Sequence, residues 1–428
     1  MTQTLPATRL PGWLLGSGVI AVAMAVLNLS TYAFTILAAR LLGPSEYGAL
    51  AAVMGLLLVV NVASLGLQAT GARRVSADPD TWAATERDIL AAAYRTAVVL
   101  GLVGLLAVPL VSWLLRLDGW GAAALMAVCC VPLTIMGAQA GILQGERRWL
   151  PLAGVYLAQG LGRIVFGTVA LLVSPTATSA MVGVTVGAFL PIALGWYALR
   201  YDGRRDRRTR SAALSPGQLG GWAPGGVLRE VTQNSHALLA FFALSNADVV
   251  IARTMLDDHA GGLYAGGLIL AKAVLFLPQF VVVVAFPSMS AGGHRRGVHL
   301  KGLAVVLALG LVATLGAALL SELAVAFVGG PDYAGIQDEL WAFAAIGMLL
   351  AMTQLMVYSV VARQSQRAVL ILWAGLAALL LAAPLVDSVT FLLSTVIAVE
   401  TTVLVVLVVR GLQHRSTPGT RQEVGRAA

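Results

Sequence analysis

The chain has 428 residues, of which 58% are hydrophobic and only 11% charged, against about 25% charged in an average globular protein. Too few polar residues remain to surface a water-soluble domain of any size, so a soluble enzyme, a secreted disulfide scaffold and a disordered regulator are excluded. The formal net charge is +8, and 26 of the 28 basic residues are Arg, Lys272 and Lys301 being the exceptions.

Twelve membrane helices of about 20 apolar residues need ~240, and 58% of 428 covers that number. Apolar runs place twelve spans at about 12–39, 47–70, 90–115, 120–141, 151–173, 178–199, 231–253, 262–286, 301–322, 338–362, 367–385 and 389–409. The first run follows Arg9 but is too long for a signal h-region of about 7–15 residues, so it reads as a tilted span. The expected fold class is therefore an all-α integral membrane protein of about twelve transmembrane helices.

Basic residues in the loops set the orientation. With the N-terminus in the cytoplasm, 23 of them fall on the inner side and three (Arg40, Arg116 and Arg253) on the outer side. That is a strong positive-inside bias, and it also supports an even number of spans. The basic excess is thus topological, and no nucleic-acid partner is expected. The stretch 200–227 joins an Arg cluster to SPGQLGGWAPGG and reads as a cytoplasmic linker that also touches anionic lipid. It divides the chain into an N-terminal six-helix lobe at 1–199 and a C-terminal six-helix lobe at 228–411, followed by a polar cytoplasmic tail at 412–428. The adjacent Cys129 and Cys130 suit neither a metal site nor a structural bridge.

Each half repeats a local pattern. ILAARLLGPSEYGAL at 36–50 and VIARTMLDDHAGGLYAGGL at 250–268 both carry Ala-Arg at a membrane edge, an acidic turn and a Tyr-small pair opening the next helix. Six spans per half give the two lobes the same orientation, related about an axis along the membrane normal with a central cleft between them. These segments, with FVGGPDYAG before span 10, resemble the polysaccharide-transport branch of the MOP superfamily. That branch holds the Wzx-type oligosaccharide flippases, relatives of MATE drug transporters and of the lipid II flippase. The resemblance runs through most of the chain and is strongest at spans 1–2 and 7–8. It implies a MATE-like fold and export of a polyprenyl-linked glycan from the inner to the outer leaflet by alternating access. Its implied setting is a bacterial cytoplasmic membrane, with both termini inside. The implied partners are membrane lipids, the lipid-linked glycan, and glycosyltransferases or polymerases of the same pathway.

Ionisable residues inside spans cost roughly 2.5–3.5 kcal/mol on insertion scales and are functional candidates for that reason. Arg163 in span 5 and Lys272 in span 8 fall near the bilayer midplane; Asp248 lies in span 7 and Glu400 mid-way along span 12. Polar residues at helical spacing flank them. Span 1 carries Asn28 and Thr31, span 2 Asn61 and Gln68, and span 5 Gln159 beside Arg163. Span 7 carries Asn234, span 8 Gln279 beside Lys272, and span 10 Gln354. On the functional reading, Lys272 and Arg163 present cations to a lipid pyrophosphate and the amides and hydroxyls contact sugar, while Asp248 and Glu400 are candidates for ion coupling. On the structural reading, Asp248 pairs with Lys272 and the polar side chains bind helix to helix. Arg40, Tyr47, Arg253 and Tyr264 read as interfacial anchors.

No GxxxxGK loop for ATP is present, and neither cofactor nor metal is expected. A MATE-like multidrug or cation antiporter on the same fold is the alternative. A membrane glycosyltransferase, polymerase or ligase would need acidic or His-bearing catalytic loops, and the outer acids here are scattered over short turns. A structural partner in an envelope-glycan complex is a third reading. The protein is not expected to be an enzyme.

Overall fold

The computed structural model describes residues 12–77, 82–201, 224–290, 295–363 and 366–413. The proposed linker at 200–227 and the tail from 412 lie almost entirely outside the described residues. Every regular element among the described residues is helical. The first half comprises α1 (Gly12–Val60), α2 (Val62–Ala77), α3 (Trp82–Leu106), α4 (Val108–Leu114), α5 (Gly121–Gly145), α6 (Trp149–Val173) and α7 (Ala177–Tyr201). The second comprises α8 (Pro224–Met255), α9 (Asp258–Ser290), α10 (Arg295–Leu319), α11 (Ser321–Val328), α12 (Leu340–Arg363), α13 (Gln366–Ala382) and α14 (Val389–Gln413), with 3-10 turns at Pro331–Glu339 and Ala383–Leu385.

Ten of these stretches are long and apolar enough to cross a membrane, and one of the ten runs 60 residues from Gly18 to Ala77. At ~1.5 Å per residue that is about 90 Å, three times a hydrocarbon core of ~30 Å. Gly43 divides it: its φ is 67° and ψ 175°, and Pro44 follows. A left-handed glycine ends one helix, and a proline, whose missing N–H costs nothing in a first turn, starts the next. Counting that stretch as two and adding the shorter apolar helix Val369–Leu385 gives the twelve spans expected from the sequence.

Three expected spans are interrupted. Span 2 breaks at Asn61, between α1 and α2. Span 3 breaks at Ala107, because Pro109 in the first turn of α4 has no N–H to continue the ladder of α3. Span 9 ends at Leu319, and α11 carries the chain onward as a separate short helix.

Packing follows the halves. In the first, α6 lies between α1 and α7, and α5 packs on α2, α3 and α7. In the second, α12 packs on α9, α10 and α14, and α13 on α8 and α14. Across the halves, α1 meets α8 and α9, and α2 meets α8. One apolar core, from Phe34 and Tyr47 through Phe241 and Tyr264 to Phe343 and Leu393, runs through both. Leu102, Leu106, Val169, Leu172, Val312, Leu319 and Leu381 are exposed, as apolar side chains facing lipid are.

The halves meet most tightly at the end of the bundle that carries Gly43. There a Cβ on Gly48 would lie 2.8 Å from the Cα of Gly262. Arg40 donates to the carbonyl of Ala326 at 2.7 Å, and the Tyr333 hydroxyl to the carbonyl of Ala39 at 3.2 Å. Tyr333 is fully buried, and Gly266 and Gly329 make room for its ring: a Cβ on either would fall 2.3–2.4 Å from it. Asp257 caps α9, its Oδ1 accepting from the N–H groups of Ala260 and His259 at 2.9 and 3.0 Å. Those bonds, that from Ala260 first, hold its carboxyl below the usual carboxylate range.

Candidate functional site

The second half gathers charge from three helices. Asp248 of α8 is 2% exposed; its Oδ1 accepts from the N–H of Val249 at 2.8 Å and its Oδ2 from the Tyr264 hydroxyl at 3.1 Å. Tyr264, from α9, is completely buried and stands edge-on to Phe343, ring centroids 5.2 Å apart. Glu400 of α14, also 2% exposed, lies close enough to Asp248 to repel it, and its Oε2 is buried without a hydrogen-bond partner. Lys272, two turns further along α9 than Tyr264, attracts Asp248 without forming a contact ion pair and is only partly buried. Two carboxylates and one ammonium therefore share a site that a buried tyrosine organises. A lone buried carboxylate is costly, so these groups act as a set.

In the first half, Tyr156, Gln159 and Arg163 of α6 are partly buried, whereas Leu161, Val165, Val169 and Leu172 on the other side of the helix are exposed. The polar stripe thus turns away from the lipid face. Gln68 of α2 reaches it, its Nε2 donating to the Tyr156 hydroxyl at 2.7 Å and to Gln144 Oε1 at 3.1 Å. Gln68 accordingly ties α2, α5 and α6 together within the first half. Tyr156→Phe is expected to remove one such bond and lower the unfolding free energy by about 1 kcal/mol; a melt of the purified protein in detergent checks this. Arg163 interacts electrostatically with the thiol of Cys129 on α5.

Of the remaining polar candidates, Asn28, Thr31, Gln159 and Gln354 are partly buried, and Asn61 sits at the α1–α2 break with its Oδ1 buried and unpartnered. Asn234 and Gln279 fall in helical stretches whose side chains lie outside the described residues. The structure thus joins Lys272, Asp248 and Glu400 and keeps Arg163 in the other half. An open apolar groove of about 360 Å³ between α9, α10 and α11, lined by Leu270, Val274, Ala313, Leu320, Leu323 and Phe327, bears no polar side chain fit for a headgroup. Among the described residues no cluster of His, Cys, Asp and Glu has the makings of a metal site.

The family model described as "Polysaccharide biosynthesis protein" matches residues 14–292, well over half of the chain and including α1 through α9. The chain belongs to the polysaccharide biosynthesis protein family. No protein of curated function matches it in sequence. Solved structures supply the fold of this family member. An inward-facing multidrug-resistance MATE transporter of the MOP superfamily is 12% identical, with a TM-score of 0.69 over 92% of this chain and 98% of that one. An outward-facing MATE structure gives 0.60 over 94% and 95%, and a MATE protein in complex with MaD5 gives 0.62 over 94% of each, both at 12% identity. The polysaccharide biosynthesis protein is thus a multi-pass, all-α membrane protein of MATE-like fold, as its resemblance implied.

Two groups in this family member escaped the sequence reading. Tyr264 read as an interfacial anchor, but its hydroxyl serves Asp248, 16 residues earlier in the chain. Asn246, 4% exposed, binds the carbonyl of Phe242 at 2.9 Å and lies against Gly55 of the other half. A buried tyrosine and asparagine show no sequence signal beyond being polar in apolar runs.

Proposed function

We propose that the protein is a flippase that moves a polyprenyl-(pyro)phosphate-linked oligosaccharide from the inner to the outer leaflet of a bacterial cytoplasmic membrane, for envelope or extracellular polysaccharide synthesis. On this reading the lobes at 1–199 and 228–411, joined by the cytoplasmic linker 200–227, alternate access to a cleft between them, and both termini are cytoplasmic. The observation that carries it is family membership on a transporter fold with a cation at mid-span in each half, Arg163 and Lys272. Carrying a pyrophosphate through bare hydrocarbon costs on the order of tens of kcal/mol by continuum solvation. Fixed cations and a polar lining remove much of that while the polyprenyl tail stays in lipid. An inside-negative potential favours outward movement of the anion by ~2.3 kcal/mol per charge per 100 mV. Asp248 and Glu400 carry the coupling ion, with Tyr264 holding Asp248 in place. Asn28, Thr31, Asn61, Gln159, Asn234, Gln279 and Gln354 line the sugar path; Gln68 braces it. Glycosyltransferases or polymerases of the same pathway supply and consume the cargo.

A second reading, a cation or drug antiporter, is favoured by the buried acids Asp248 and Glu400 and by the same fold. Reconstitution into liposomes carrying a fluorescent polyprenyl-pyrophosphate oligosaccharide separates the two. Leaflet exchange of the label, read by its accessibility to an external quencher, is the expected result. No exchange with several glycans under an imposed potential and proton gradient, together with uptake of a cationic dye, would shift the assignment to the antiporter.

A further inference from the structure

Arg253 closes the last turn of α8, where its side chain is 6% exposed, and its guanidinium crosses to the other half. Nε donates to the carbonyl of Leu115 at 2.9 Å, Nη2 to that of Arg116 at 3.0 Å and Nη1 to that of Ser45 at 3.4 Å. Arg116 answers from the first half: its Nη2 donates to the carbonyls of Arg253 and Leu256. Asp258, the first residue of α9, sits between the two guanidiniums, its Oδ1 3.1 Å from Arg253 Nη1 and 3.4 Å from Arg116 Nη2.

Each carbonyl in this lattice belongs to a helix end or turn. Leu115 and Arg116 close α4, Arg253 and Leu256 close α8, and Ser45 follows the Gly43 kink. The carbonyls that end α4 and α8 have no partner within their own helix, and a cation there also complements the helix dipole. Arg116 holds a φ of 47°. Its N–H bonds back to the carbonyl of Trp113 at 3.3 Å, and that of Leu117 to Ser112 at 3.0 Å. This is a helix end at which glycine is the unstrained residue. An arginine stands there instead, with its backbone carbonyl aimed at Arg253 and its side chain at α8. The two guanidiniums repel each other, and Asp258 bridges them. Without that carboxylate the repulsion between the two cations is uncompensated and opposes the carbonyl bonds that join the halves.

We propose that Arg116, Arg253 and Asp258 form a latch that holds the outer ends of the two lobes together and sets how often the protein opens outward. The proposal rests on the alternating-access reading above, but not on the identity of the cargo. It makes Arg253, which sequence alone assigns to anchoring at the membrane surface, a gate residue.

The test uses the full chain in nanodiscs, with Cys129→Ala and Cys130→Ala to clear the background. Spin labels go on Gly119→Cys, where a side chain meets nothing within 4 Å, and on the exposed His259→Cys. Asp258→Asn, at a half-exposed position that tolerates the isostere, is expected to raise the long-distance population between the labels by about tenfold, the scale of one charge-assisted hydrogen bond. Arg116→Gly relaxes the turn while deleting the guanidinium, and is expected to do the same without loss of folded protein. A distance distribution in Asp258→Asn that superimposes on the parent overturns the latch. Because the readout is a distance, a shift in a protein that moves no lipid-linked glycan upholds the latch and sinks only the cargo assignment.

Discussion

Lys272→Ala is expected to slow leaflet exchange of a lipid-linked oligosaccharide by more than about 100-fold, equivalent to losing roughly 3 kcal/mol of interaction with the moving headgroup. Lys272 is one of two cations placed at mid-span, and it stands beside Asp248, with Glu400 near by. Removing it does two separable things. The headgroup loses its positive partner in the second lobe, and two buried carboxylates are left without their cation. Leaving buried acids without a nearby cation costs stability as well, so the single substitution alone does not assign the role. The double variant Lys272→Ala/Asp248→Asn also removes the acid that Lys272 attracts and is expected to recover part of the lost stability. If Lys272 holds phosphate, the double variant exchanges lipid far more slowly than Asp248→Asn alone. Exchange equal to that of Asp248→Asn alone would return Lys272 to a structural pairing role. Exchange half-times in proteoliposomes and melts of the same preparations supply both numbers.

Gly262→Val is expected to prevent closure at the Gly43 end of the bundle. A Cβ on Gly262 would lie 2.0 Å from the carbonyl oxygen of Pro44 and 2.2 Å from its carbonyl carbon. Those are backbone atoms on the far side of the helix turn, unable to swing aside as a side-chain tip does. Relief requires the halves to separate by more than an ångström along a seam that also carries the contacts of Arg40, Tyr333 and Arg253. Overpacking of this kind costs about 1–3 kcal/mol or more, concentrated on one interface. The expected result is a protein that inserts normally, while the distance between spin labels on Gly119→Cys and His259→Cys shifts to the longer population. Gly154 supplies the control, since a Cβ there meets nothing within 4 Å. Gly154→Ala in the second turn of α6 is expected to be neutral or stabilising by up to about 1 kcal/mol, the helix-propensity gain. Superimposable distance distributions in the parent and Gly262→Val would show that the close approach is not what seals this end.

Both predictions turn on features that the sequence displays unequally. Lys272 and Asp248 are conspicuous because ionisable groups in apolar runs are rare and expensive. Their nearness is an inference open to sequence reasoning, since they lie on consecutive antiparallel spans. Glu400 joins them from 152 residues beyond Asp248, through the packing of α14 against the helices of its own half, and no spacing rule announces that. Gly262 and Gly48 are two of 46 glycines in a chain rich in small residues, where a glycine at an interface looks like any other.

The Arg residues at the Gly43 end make the same point from the opposite side. Arg40, Arg116 and Arg253 stand at span ends, where arginine ordinarily reaches the membrane surface. In the structure each one bonds carbonyls of the other half. An arginine at a span end serves a headgroup or a neighbouring helix end equally well, because both offer unpaired oxygens. Only the position of the partner distinguishes them.

Composition and periodicity determined the helical membrane class and the number of spans, because a hydrocarbon core forces both through local rules. Transfer energy acts on runs of about 20 residues, and backbone hydrogen bonds must be satisfied within each run. Which polar groups meet was decided only by tertiary structure: Tyr264 with Asp248 and Glu400, Gln68 with Tyr156, and Arg253 with α4. Inside lipid, an apolar helix face packs about as well against one apolar neighbour as another. The pairing is therefore set by close backbone contacts at glycine and by a few long-range hydrogen bonds, whose partners are adjacent in space and remote in sequence.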